Sequence, residues 1–305
     1  MKDSPYYKQA ELLLKVLPLI NQYKEFALKG GTAINFFIRN LPRLSVDIDL
    51  VYLPIEDRDT TLTGITNKLK VLGNSIKLSI PSAQIIERKL NDTEYLSGIQ
   101  VRANDALIKI ELNTVIRGSV YKPEKITLCT RAEDMFELSL KMQCLSLPDL
   151  YGGKICAALD RQHPRDLFDV KLLLENEGFT EEIRKAFLVY LISHRRPIVE
   201  VLDPNMNDLS TEFEREFSGM TEDNLKLSEL TDTFNTLKEL IKISLNDDEK
   251  EFLLSFKRKE PKWELLGLKN IDVLPSVRWK QRNLERMNAG KHKEAYKNLE
   301  KFLSS

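Results

Sequence analysis

Cysteine is the first shortage. Only Cys129, Cys144 and Cys156 occur, an odd number at wide spacing. None forms a CxxC pair, so neither a zinc site nor a disulfide framework is indicated, and the usage suits a reducing cytosol. Histidine is as scarce: His163, His194 and His292 have no metal-ligand spacing and read as surface or loop residues. Long apolar runs are missing too. The start, MKDSPYYKQAELLLK, has no signal-peptide shape, and its apolar stretch is too short and too charged to span a membrane. No other segment reaches membrane length, so a cytoplasmic protein without membrane contact is expected. A charge excess is also absent, because 46 Lys+Arg balance 46 Asp+Glu. This argues against a general polycation that coats nucleic acid, but allows a local basic groove.

What is present fits a globular chain. At 305 residues, 42% hydrophobic and 30% charged, it can hold one large domain or two ordinary ones. Residues 5–28 read as a helix with the stripe Leu12, Leu13, Val16, Leu17 and Ile20, and Pro18 marks a kink or break. Ala33 to Arg39 reads as a short helix and Ser45 to Tyr52 as a half-buried strand. Residues 58–72 look helical, and strand-like runs follow at Ser75–Ile80, Gln84–Lys89, Ser97–Val101 and Leu107–Asn113. Residues 1–125 therefore form a mixed α/β unit, and 126–305 a mainly helical part. Helices are expected from Pro148 through Leu159, from Pro164 through Glu175, near 180–194, 207–217, 221–244 and 247–256, and over the charged tail 281–303. No internal repeat or low-complexity linker separates the parts.

The most informative stretch runs Lys29-Gly30-Gly31-Thr32-Ala33 and on to Arg43-Leu44-Ser45-Val46-Asp47-Ile48-Asp49-Leu50. Side chains at i and i+2 leave a strand on one face, so Asp47 and Asp49 point together, roughly 7 Å apart at Cα. Paired carboxylates attract a hard cation such as Mg²⁺, with Mn²⁺ the alternative. A Gly-Gly-Thr turn opening a helix offers free backbone N–H groups and a hydroxyl to phosphate. Metal carboxylates beside a phosphate cradle suggest phosphoryl or nucleotidyl transfer from an NTP. DxD alone is common and is often just a polar strand face; the glycine turn upstream, and Ser45 on the same face, sharpen it. Glu111, in Ile108-Lys109-Ile110-Glu111-Leu112, is a third candidate metal ligand if its strand neighbours the aspartates; otherwise it belongs to an exposed Lys/Glu face.

A second block runs from Leu150 to Val170. Lys154 lies on a mostly apolar helix beside Gly152 and Gly153, and Arg161, His163 and Arg165 crowd the following turn. Asp166 and Asp169, at i and i+3, share one side of the next helix. A salt bridge from Lys154 to Asp169 would be a purely structural account. A lysine among apolar neighbours also suits a triphosphate, with Arg161 and Arg165 as phosphate forks. His194-Arg195-Arg196-Pro197 and Arg278-Trp279-Lys280-Gln281-Arg282 are basic clusters that suit either RNA contact or a solvated face. Trp263 reads as a core anchor.

Lys29-Gly-Gly-Thr-Ala with Pro42-Arg43-Leu-Ser45-Val-Asp47-Ile-Asp49-Leu resembles the AbiEii/AbiGii toxin family of nucleotidyltransferases, the toxin halves of type IV-like toxin–antitoxin and abortive-infection systems. Lys154-Ile-Cys-Ala157 with Arg161, Arg165-Asp166 and Asp169 also resembles it, as do Arg195-Arg196-Pro197, Glu200 to Pro204, Phe217 to Met220 and Pro261-Lys-Trp263. The resemblance implies an α+β fold: an N-terminal polymerase-β-like nucleotidyltransferase core with a mixed sheet, then a helical C-terminal part. That part would complete the active site from Lys154 to Asp169 and carry the acceptor-binding surface. It implies Mg²⁺ on Asp47 and Asp49, Gly31, Thr32 and Ser45 by the triphosphate, and Lys154 with Asp169 as the later essential pair, Asp166 supporting. The implied activity moves NMP from an NTP to an acceptor hydroxyl, the 3′ end of tRNA in some members, which would block translation. An antitoxin encoded next door is the implied partner. One departure is Gly31-Thr32 where many relatives have Gly-Ser, at longer spacing to the aspartates. A protein or small-molecule acceptor, and a nucleotide-binding module without turnover, are the alternative readings.

Overall fold

The computed structural model describes residues 1–304. They divide into two compact units, the first Met1–Ser146 with Phe217–Asn224, the second Leu147–Glu216 with the chain from Leu225 on. The fold is α+β.

The first unit is built on a seven-stranded mixed sheet. Its strands are β1 (Phe26–Lys29), β2 (Asp47–Tyr52), β3 (Gln84–Lys89), β4 (Leu96–Ala103), β5 (Ala106–Leu112), β6 (Glu124–Thr127) and β7 (Lys141–Cys144), in the order β3-β4-β5-β2-β1-β7-β6. β2 runs antiparallel to β1 and parallel to β5, and β1 runs parallel to β7. Ile48, Leu50, Ile99, Val101, Ile108 and Ile110 are buried. Helix α1 (Tyr7–Ile20) packs against β5 and α3 (Arg58–Ser79), and α3 against β4. The alternate positions Asp47, Asp49, Lys109 and Glu111 are half-buried on the other face.

Three expectations change here. The helix predicted over 5–28 ends at Ile20, and Phe26–Lys29 is a strand. Phe26, Ala27 and Leu28 form a continuous apolar run because β1 is paired on both sides, and such a run has no period to distinguish it from buried helix. Pro18 sits inside α1 without ending it. Ser75–Ile80 is not a strand. Buried Leu62, Ile65, Leu69, Leu72 and Ile76 continue one helical stripe, so α3 runs on to Ser79. The remaining strands lie within a residue or two of their expected places, but β6, β7 and the intervening α4 (Thr130–Phe136) had no clear signal. Strands of four residues leave too few alternations to read.

The second unit is helical: α5 (Leu147–Asp160), α6 (Pro164–Asn176), α7 (Glu181–Ile192), α8 (Ile198–Leu202), α10 (Leu227–Ser244), α11 (Asp247–Lys257), α12 (Pro275–Glu285) and α13 (Ala289–Leu303). A short α9 (Ser210–Glu212) runs into a π-helical turn over Phe213–Phe217. The charged tail is two helices rather than one. Asn288 separates them and caps α13, accepting from the Gly290 and Lys291 N–H groups. α5 packs on α7, where a Cβ on Gly152 would stand 2.8 Å from the Phe187 nitrogen. Trp263 packs its ring against Phe252 and Phe256, as an anchor should. No helix among the described residues is long and apolar enough to cross a membrane.

Candidate active site

In the first unit the chemistry-bearing residues gather where β1 leads through a glycine turn into α2 (Gly30–Ala33), which continues as a π-helical turn over Ile34–Ile38. Gly30 adopts φ +72°, a region that costs any residue with a Cβ. A Cβ there would also lie 2.5 Å from Asp49 Oδ2. The Asp49 carboxylate therefore rests directly against bare backbone. Its side chain makes no hydrogen bond or ion pair among the described residues. Gly31 is just as confined, since a Cβ there would stand 2.6 Å from Arg43 Nη2 and 3.3 Å from Ser45 Oγ. The Asn35 amide donates to the Gly31 carbonyl at 2.9 Å and fixes the turn from within.

Thr32 and Ser45 tie this turn to the aspartate strand. Their hydroxyls are 2.9 Å apart, and Thr32 donates to the Asp47 carbonyl at 2.6 Å. Both residues are buried. The Thr32 hydroxyl, expected to face phosphate, is thus engaged inside the protein. Lys29 and Asp49 are register partners across β1 and β2, and Asp49 and Glu111 across β2 and β5. The three side chains consequently share a row on one face. Glu111 is drawn the other way along that row. Gly98, its neighbour on β4, has no side chain, and Arg88 on β3 reaches over it to Glu111 at 2.8 Å. No cluster of three or more His, Cys, Asp or Glu placed to hold a metal ion is found among the described residues.

The second unit concentrates charge between α5 and α6. Lys154 Nζ lies 2.8 Å from Asp166 Oδ1 and 3.0 Å from Asp169 Oδ2, with all three residues buried. Arg161 reaches in from the surface, bonding Asp166 through Nε at 2.5 Å and Nη2 at 3.0 Å. Burial would raise the Asp166 pKa, but the Lys154 and Arg161 charges overcome it and hold the carboxyl well below the usual range. Asp166 and Asp169 thus bracket the lysine together. His163 is a helix cap rather than a free surface residue: its Nδ1 accepts from the Arg165 N–H at 3.1 Å. Burial lowers the His163 pKa, against a contrary pull from Glu216. Arg165 lies 3.8 Å from that same Glu216.

The sequence model of the nucleotidyl transferase AbiEii toxin family, of type IV toxin–antitoxin systems, matches residues 11–282. The chain belongs to that family. It is a nucleotidyltransferase toxin, and its family implies an NTP substrate and an antitoxin partner. No curated protein matches its sequence. Among solved structures, MenT4, a nucleotidyltransferase toxin of Mycobacterium tuberculosis H37Rv, is similar in fold. The TM-score is 0.62 at 13% identity, over 96% of this chain and 92% of that one.

Nucleotidyltransferases generally work with a divalent metal ion. The first unit of this AbiEii-family toxin fits one. Asp47 and Asp49 present carboxylate oxygens, the hard donors such an ion takes, on one face of β2, and the Asp49 carboxylate lies against the bare Gly30 backbone without an ion pair among the described residues. One contributor escaped sequence reasoning. Arg43 is 2% exposed, donates to the Leu44 carbonyl at 2.9 Å and packs its guanidinium behind Gly31. The sequence placed Arg43 in the stretch that leads to Ser45 and the aspartates but gave it no role.

Proposed function

We propose that this toxin transfers NMP from an NTP to the terminal hydroxyl of an RNA, with the tRNA 3′ end as acceptor, and so blocks translation. The observation that carries the proposal is the Gly30 backbone folded directly against the Asp49 carboxylate. Asp47 and Asp49 would hold Mg²⁺, which when bound neutralises phosphate charge and orients an in-line displacement. The backbone N–H groups opening α2 meet the triphosphate, since the first N–H groups of a helix have no partner within it. Lys29, beside Asp49 on the same face and without a side-chain partner among the described residues, is a cation for the same phosphates. Thr32 and Ser45 act indirectly, holding the turn on β2 through the Asp47 carbonyl. Glu111 is spent on Arg88 and takes a supporting place.

Lys154, Asp166 and Asp169 are positioning residues in this reading. Their network fixes Arg161, which with Arg165 supplies forked cations suited to phosphate. The test incubates protein and Mg²⁺ with each α-³²P-labelled NTP and total cellular RNA. Label in a tRNA-sized band, lost in Asp49→Ala, is expected. Label on protein alone would replace the RNA acceptor with a protein one. Mg²⁺-dependent NTP binding without pyrophosphate release would point to a module without turnover.

A further inference from the structure

A second charged site lies wholly inside the helical unit. Between α8 and α13 there is a cavity of about 270 Å³. Ile198 and Leu299, both buried, form an apolar wall, while Lys291 and Glu294 stand exposed at its rim. Lys257, the last residue of α11, also lines it. Only 6% of Lys257 is exposed, and its side chain has no hydrogen bond or ion pair among the described residues.

That is an unusual place for a cation. A buried charge without a partner pays desolvation with nothing to offset it. The acidic groups nearby do not supply the partner. Glu200, which also lines the cavity, pairs with Arg196 at 3.3 Å. Positive charge accumulates instead. Lys280 is close enough for the Lys257 charge to disfavour its own, and Lys259 acts likewise on Lys257. Lys280 is compensated by the His194 and Arg196 carbonyls, at 2.5 and 2.9 Å, whereas Lys257 has no such ring.

We propose that this cavity binds a small oxyanion with a short apolar body, its carboxylate or phosphate head on Lys257 and its body against Ile198 and Leu299. The volume suits a ligand smaller than a nucleotide. The proposal does not depend on the nucleotidyl-transfer reading. The test melts the full chain in butyrate or inorganic phosphate at ionic strength matched with chloride, for wild type and Lys257→Met. A rise in Tm for wild type, lost in Lys257→Met, is expected. A rise with butyrate alone assigns a carboxylate head, and one with phosphate alone a phosphate head. In the absence of either anion, Lys257→Met should melt no lower than wild type, because it removes an uncompensated charge. Should that variant fail to fold, the Lys257 side-chain NMR signal in the wild-type chain is followed during the same titrations. An equal rise in both proteins, or a wild-type Lys257 signal that neither anion moves, overturns the proposal.

Discussion

Two residues at the glycine turn differ in what they can tolerate. Gly30→Ala adds a Cβ to a position at φ +72° and drives it against Asp49 Oδ2. A displaced carboxylate is costly, since misplacement by about 1 Å can lower a rate about 100-fold. Transfer assays on Gly30→Ala should fall by about that factor. Asp49→Asn should remove transfer altogether while its unfolding free energy, measured in urea, stays within about 0.5 kcal/mol of wild type, as expected where no stabilising contact is lost. A large loss of stability would mean that Asp49 is structural. Asp166 behaves in the opposite way, because it is buried and bonded to two cations. Its folded pKa lies below the unfolded value of about 3.9, so its contribution is complete above about pH 5 and declines as pH falls. Asp166→Asn should cost about 3 kcal/mol at neutral pH, from removing one partner of a buried pair. It should also flatten the acid limb of a stability-against-pH curve measured by urea unfolding.

Helix packing sets the next level. Gly152 and Gly153 are adjacent on α5, yet only Gly152 faces α7 at backbone distance. A Cβ on Gly153 would lie 3.5 Å from the Tyr190 ring, an ordinary contact. Gly153→Ala should therefore be neutral or gain up to about 1 kcal/mol of helix propensity. Gly152→Ala should lose about 1–3 kcal/mol, because the helices must part. Thermal melts of the two variants separate these outcomes. The difference was not legible in the sequence, where both glycines sat beside Lys154 without distinction. What was legible had a strong period or a chemical pattern: Ile108 to Leu112 alternates cleanly, and the i, i+3 spacing put Asp166 and Asp169 on one side. The Lys154–Asp169 bridge was readable too, though only as one of two accounts. β1 was misread because a short apolar segment takes its form from its neighbours, and the far end of α3 because Ser75 to Ile80 alternates polar and apolar residues as a strand does. Arg43 and Lys257 were invisible as buried residues, since a lone cation carries no mark of depth.

At the scale of the molecule, charge balance is the constraint on the acceptor. With 46 basic and 46 acidic residues, any grip on RNA has to come from local clusters. Transfer to RNA should then weaken as salt rises, with a shallow log–log slope reflecting a few phosphate contacts, each contributing about 0.7–0.9. A salt titration of acceptor KM measures it. A KM independent of salt would count against RNA.

The first unit is also discontinuous in sequence. Residues 217–224 return to it: the Leu44 N–H donates to the Met220 carbonyl at 2.7 Å, Arg43 pairs in a β-bridge with Thr221, and Arg131 bonds Glu222. The strap closes over Arg43 and Leu44, which back the glycine turn. On a ribosome those backbone partners do not exist until the stretch 147–216 has been made, a delay on the order of ten seconds at bacterial elongation speeds of about 5–20 residues per second. A nascent or broken chain ending short of Phe217 therefore carries the aspartates but not the strap behind them. The backing of the glycine turn is therefore complete only once the chain has been made past Asn224, about three-quarters of its length.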